Sequence, residues 1–169
     1  MAGRVYQFYR AVTASLTEAD RQYVEKYLPE NAQKLFFNMS TADQYHALHV
    51  AYTALEIAES DKCDSDLLRR SALLHDIGRV NGSMNVWEKS IAVIVVGFFP
   101  DFARKLAQKN NGWLSGLLHI YFCHPQIGAK MLHEIGMDKE AEIVSRHHDK
   151  VVPEDNIELR ILQQADSEN

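Results

Sequence analysis

The sequence predicts an all-α protein, a compact single-domain helical bundle, and three observations carry that reading. Apolar residues recur at helical spacing along nearly every segment, and no run alternates at the period of two that a half-buried strand requires. Only four prolines and eight glycines interrupt 169 residues, most of them where a helix would start or stop. No repeat, low-complexity tract or linker divides the chain, and its length suits one domain with a substantial core.

In chain order, Thr17 before Glu18 and Asp20 has the chemistry of an N-cap. Pro29 and Pro100 suit the first turns of new helices. Ser40 or Thr41, with Asp43 following, caps a long helix expected to run to about residue 60. It carries His46, His49, Val50, Thr53, Ala54 and Ile57 on one face. Asp64 and Asp66 open the next helix, which passes Leu67, Leu68 and Leu74 to His75; Gly78 and then Asn81-Gly82 break it. The run 91–99 (IAVIVVGFF) is the most apolar, but a bilayer-spanning helix takes about 20 residues. It reads as a buried core helix, with a membrane or partner contact as the lesser reading. Pro125 and Gly136 bracket a further helix. Residues 139–149 form another, with Ile143, Val144, His147 and His148 on one side, and 154–165 form the last. Residues 1–40 are read as a helical cover on a site-bearing unit, 41–169.

Composition narrows the function classes. With 46% apolar and 24% charged residues and a net charge of −5, the chain is an ordinary globular protein and a poor bulk binder of nucleic acid. A small anionic substrate stays possible, because a metal ion reverses the local field. Cys63 and Cys123 form no CxxC pair and read as reduced thiols. The N-terminus has no signal-peptide pattern, so a cytoplasmic protein is expected. With three residues after Asp166, no appended sensory domain is expected. Trp87 and Trp113 read as packing residues, His119 and His133 as ordinary ones, and Arg146 and Lys150 as solvated charges.

The informative residues are among the eight histidines, several of which share helix faces with aliphatic side chains. A buried imidazole needs partners for both nitrogens, and a buried carboxylate such as Asp76 is costlier still. A shared metal ion answers all of these needs at once. The spacing is neither that of a zinc finger nor HExxH. Candidates spread over much of the chain suit a bundle core, where each helix donates one or two inward ligands.

Three segments then resemble the HD superfamily of metal-dependent phosphohydrolases: YHALHVA around His46, LLHDIGR at 73–79, and QQADS at 163–167. The resemblance covers roughly residues 40–167 and implies a bundle of the HD-domain type, with one metal held by His46, His75, Asp76 and Asp166. HPQIGAKML from His124 and RHHD at 146–149 are similar to extra motifs of the HD-GYP phosphodiesterases. This implies a second metal on His124, His147 and His148, with Asp76 as the bridge. Adjacent helical residues point about 100° apart, so one ligand and one hydrogen-bonding neighbour among His147 and His148 is the alternative. The sequence departs from HD-GYP in having no GYP motif, which removes the warrant for cyclic di-GMP. It also has Arg79 where lysine is common, which keeps the charge and permits a bidentate grip on phosphate.

The resemblance implies hydrolysis of a small phosphate-containing, nucleotide-like substrate by metal-activated water. Asp76 would be ligand and bridge, Arg79 would neutralise phosphate charge, and His49 or the spare member of His147 and His148 would protonate the leaving group. The ligand set suits one or two divalent transition metals, iron or manganese first, then zinc, nickel or cobalt. A di-iron oxygenase of the same fold and a non-catalytic nucleotide- or protein-binding module are the alternative functions.

Overall fold

The computed structural model describes residues 15–58, 63–79, 86–109, 112–152 and 156–169. The expected break at Asn81-Gly82, the first part of the expected cover, and the side chain of Trp87 lie outside the described residues. In chain order the helices are α1 (Glu18–Tyr27), α2 (Glu30–Phe37), α3 (Thr41–Ala58) and α4 (Ser65–Leu74). A 3-10 turn (Ile77–Arg79) follows, then α5 (Val86–Phe98), α6 (Pro100–Ala107), α7 (Trp113–Glu134), α8 (Asp138–Arg146) and α9 (Ile157–Glu168). No strand occurs among the described residues, and no helix there is long and apolar enough to cross a membrane. The fold is all-α, as the sequence predicts.

Side-chain chemistry accounts for the helix starts. Thr17 and Asp20 form a reciprocal capping box at the start of α1. The Ser40 hydroxyl donates to Asp43 Oδ2 at 2.5 Å and accepts from the Asp43 amide at 3.2 Å, which opens α3. Asp64 accepts from the amides of Asp66 and Leu67 at the start of α4. Asn156 does the same for Leu159 in α9. Each such cap contributes about 1 kcal/mol. Pro100 stands at the first position of α6, whereas Pro29 is the residue just before α2.

α3 packs on α4 and α9, α4 on α8, and α7 on α8 and on the 3-10 turn. The main core holds Leu48, Val50, Leu68, Leu73, Leu74, Ile77, Leu132, Val144, Leu159 and Leu162. Val24, Leu28, Ala32 and Phe36 of the first two helices join it. Burying a side chain the size of Phe36 contributes about 2–3 kcal/mol. A smaller cluster, Ala92, Ala103, Ala107, Leu117 and Leu118, joins α5 and α6 to α7.

Three expectations need correction. The buried stripe of α3 is Ala47, Leu48, Val50, Ala51, Ala54 and Ala58; His46, His49, Thr53 and Ile57 lie half-buried at its margin. The small alanines let α4 and α9 close in, and the imidazoles are left at the edge. The run 91–99 is not a core helix: Ala92 is buried, but Ile94, Phe98 and Phe99 are 56%, 76% and 63% exposed. α5 is apolar on more than one side, and the packing on α6 and α7 leaves these side chains uncovered. Trp113 is exposed as well.

The third correction concerns Pro125, which does not begin a helix but lies inside the 22-residue α7. A proline in a helix interior costs about 3 kcal/mol through a missing hydrogen bond and a ring clash. Gly136 does end this helix, with φ +77. Its amide donates to His133 and that of Met137 to Leu132, both at 3.0 Å, a Schellman closure only a left-handed residue permits.

Gly78 has a different reason to be glycine. A Cβ there would stand 2.0 Å from the His124 carbonyl oxygen and 2.7 Å from the Gly128 amide nitrogen. The bare backbone lets the turn that follows His75-Asp76 lie directly on α7.

Candidate metal centre

His75 and His147 are the C-cap residues of α4 and α8, and His124 lies beside Pro125 in α7. All three rings are buried, at 0%, 2% and 2% exposure. Each Nδ1–H donates to the carbonyl three residues back: His75 to Ala72 at 2.8 Å, His124 to Tyr121 at 3.0 Å, His147 to Val144 at 2.7 Å. A carbonyl can only accept, so Nδ1 carries the proton and, in the neutral ring, Nε2 carries the lone pair. All three Nε2 atoms are buried without a hydrogen-bond partner, and so are both carboxylate oxygens of Asp76.

These atoms converge. Ligand atoms of His46, His75 and Asp76 lie within 4.8 Å of one another, and so do those of His124, His147 and His148. Asp76 lies between the two groups: Oδ2 is 3.4 Å from His75 Nε2, and Oδ1 is 3.4 Å from His124 Nε2. Asp166 Oδ1, arriving on α9, is 3.0 Å from His46 Nε2 and 3.6 Å from His75 Nε2. Arg79 Nη1 stands 2.9 Å from Asp76 Oδ2 and 3.9 Å from Asp43 Oδ1. The seven residues singled out as ligands from the sequence therefore meet in one place.

His147 and His148 enter the same group although they are adjacent, with ring centroids 4.1 Å apart. His147 is the C-cap of α8, just past Arg146, whereas His148 lies one residue further on, exposed at the rim. His49 joins neither group. It lies about 60° round α3 from His46, and its ring meets Tyr45 at 4.3 Å and Tyr52 at 6.1 Å. His119 and His133 are also apart, His133 in an exposed ion pair with Asp138. Asp43 was read only as a capping residue, yet it is buried to 6% exposure and reaches Arg79. The available signal was its position one turn before His46, on the same side of α3.

Electrostatics sort the donors. Burial pushes His124 down to about 4 and His147 down to about 3, so both are neutral at pH 7. Burial also draws His148 below its ordinary value. For Asp76, burial works to raise the pKa, but Arg79, then His75 and His124, hold it well below the usual carboxylate range. For Asp166, burial is likewise overcome, by the hydrogen bond from His46 and the nearby charge of His75. Burial would also lower His75, but the charges of Asp76 and Asp166 raise it to about 9. The result is a pair of ionised carboxylates, neutral His124 and His147 with free Nε2 atoms, and a His75 whose Nε2 proton a bound cation would displace. That is the donor chemistry of a divalent transition metal. It also explains the buried polar atoms, which would each be costly without an ion.

Comparison with curated proteins returns no match, and neither does comparison with solved structures. A family model described as the HD domain does match, and HD domains are generally metal-dependent phosphohydrolases. The matched stretch, residues 44–168, runs from the first turn of α3 to the end of α9. It thus takes in both groups and the helices that hold them, and the chain belongs to the HD domain family.

Proposed function

We propose that the protein is a metal-dependent phosphohydrolase that cleaves a phosphomonoester or phosphodiester of a nucleotide-like substrate. One ion is assigned to His46, His75, Asp76 and Asp166, and a second to His124, His147 and His148, with Asp76 shared. The observation that carries this reading is the set of buried Nε2 atoms without hydrogen-bond partners on either side of the Asp76 carboxylate, which accepts no hydrogen bond and has Arg79 as a close cation. Iron or manganese fits the imidazole and carboxylate donors, with zinc, nickel and cobalt compatible.

A divalent ion held there supplies Lewis acidity, polarising a phosphoryl oxygen and acidifying water. The chain's own part is orientation and charge. The carbonyls of Ala72, Tyr121 and Val144 hold Nδ1–H of three imidazoles and turn Nε2 toward the site, so no ring rotation accompanies binding. Arg79, with 26% of its side chain exposed, is tied to Asp76 and Asp43 at the edge of the site. From there its guanidinium can meet a phosphate oxygen and neutralise charge that grows in the transition state. A cation so placed favours a phosphate ester over the C–H substrate of a di-iron oxygenase. The filled ligand positions argue against a purely regulatory module.

The test is metal content by elemental mass spectrometry on untagged protein, wild type and His75→Ala, paired with turnover of a panel of phosphomonoesters and phosphodiesters. About two equivalents, reduced in the variant, together with metal-dependent hydrolysis, is the expected result. About one equivalent would remove His124, His147 and His148 from the ligand set. No bound metal after anaerobic reconstitution would overturn the catalytic reading, and oxygen-dependent turnover without hydrolysis would transfer it to the oxygenase class.

A further inference from the structure

His75 and His147 find carbonyl partners near helix ends. Ala72 and Val144 are among the last four residues of α4 and α8, whose carbonyls lack ladder partners. His124 has no such advantage, because it sits in the middle of α7. There each carbonyl is normally claimed by the amide four residues on. The Tyr121 carbonyl would be claimed by residue 125, and residue 125 is proline, which has no N–H. His124 Nδ1 takes that oxygen at 3.0 Å.

We propose that Pro125 is a positioning residue for the second histidine group: by withholding a backbone N–H it leaves the Tyr121 carbonyl to His124. The ring is thereby held with Nδ1 protonated and Nε2 free, 3.4 Å from Asp76 Oδ1 and grouped with His147 and His148. The backbone at this point is already fixed from the other side. Gly78 lies so close that a Cβ there would meet the His124 carbonyl oxygen at 2.0 Å. Rotation of the imidazole is the remaining freedom, and the carbonyl removes it. A proline that weakens its own helix is accounted for by the ring it orients. The consequence for metal binding rests on the dinuclear reading above; the consequence for the tautomer does not.

The experiment compares wild type, Pro125→Ala, and protein with lactic acid at position 125, which has the methyl side chain of alanine but an ester oxygen in place of N–H. The His124 tautomer is read in metal-free protein by nitrogen-15 NMR at pH 7, assigned with His124→Gln. Manganese affinity of each group is read by titration. Pro125→Ala is expected to lose the single Nδ1–H tautomer and to weaken the second group by about ten- to hundred-fold. The first group should be unchanged and the metal-free Tm equal or higher, and lactic acid should restore the wild-type tautomer. A stability role alone predicts a lower Tm with both groups affected. Retention of the tautomer in Pro125→Ala, or failure of lactic acid to restore it, would overturn the inference. If wild type binds only one ion, the dinuclear reading fails and the tautomer alone decides this one.

Discussion

His46 Nε2 lies 3.0 Å from Asp166 Oδ1, a contact between residues 120 positions apart that closes α3 onto α9 across the site. Asp166 also stands 3.6 Å from His75, so one carboxylate serves two imidazoles. Asp166→Asn keeps the shape and removes the charge. It is expected to lower metal affinity of the first group by about 100-fold or more while leaving the second group bound. Separate metal titrations of wild type and variant check this; equal loss from both groups would refute the division into two sets.

The metal-free protein should be most stable near pH 6.5, the ordinary histidine value. His75 has a folded pKa raised to about 9, so its contribution is complete below pH 6.5 and is lost as pH rises through about 9. His124 and His147 have folded values lowered to about 4 and about 3. The unfolded chain therefore binds more protons below pH 6.5, and stability falls toward acid. Asp76 and Asp166 steepen the acid limb below their unfolded value of 3.8. Thermal melts across pH in the presence of a chelator give the profile. In His75→Asn the fall between pH 6.5 and about 9 should disappear; its persistence would assign that fall to another group.

Gly78→Ala would set a methyl 2.0 Å from a backbone oxygen, which no side-chain rotation relieves. A loss of about 3 kcal/mol is expected, at the upper end for overpacking. Denaturant unfolding measures it. The damage should extend to His124, whose carbonyl must retreat, so metal in the second group should fall too.

Arg79→Ala is expected to lower kcat for a phosphoester by about 100-fold with metal content retained, since the guanidinium stabilises developing charge. Arg79→Lys should recover only part, because an ammonium lacks the planar pair of donors. Loss of metal in Arg79→Ala would instead mark the arginine as support for Asp76, its partner at 2.9 Å.

The sequence by itself determined the all-α class, most helix starts and which histidines and carboxylates gather at the site. Capping is a local matter: Thr17 with Asp20, Ser40 with Asp43, and Asp64 each bond within three residues, so they are legible from adjacent letters. The site residues were legible because histidines share helix faces with aliphatic residues and because the segments around them resemble HD-type motifs. Burial and alignment came only from the tertiary structure. Which side of α3 is covered depends on α4 and α9, and how much of α5 is covered depends on α6 and α7; none of these neighbours is written in the helix itself. Pro125 could remain inside α7 because the site uses the carbonyl it frees. His148 came into the group, and His49 stayed out, because helix ends and packing, not spacing alone, set where a ring can reach. Local rules act over one helical turn, whereas the contact between His46 and Asp166 spans the domain, and only packing of the whole bundle brings it about.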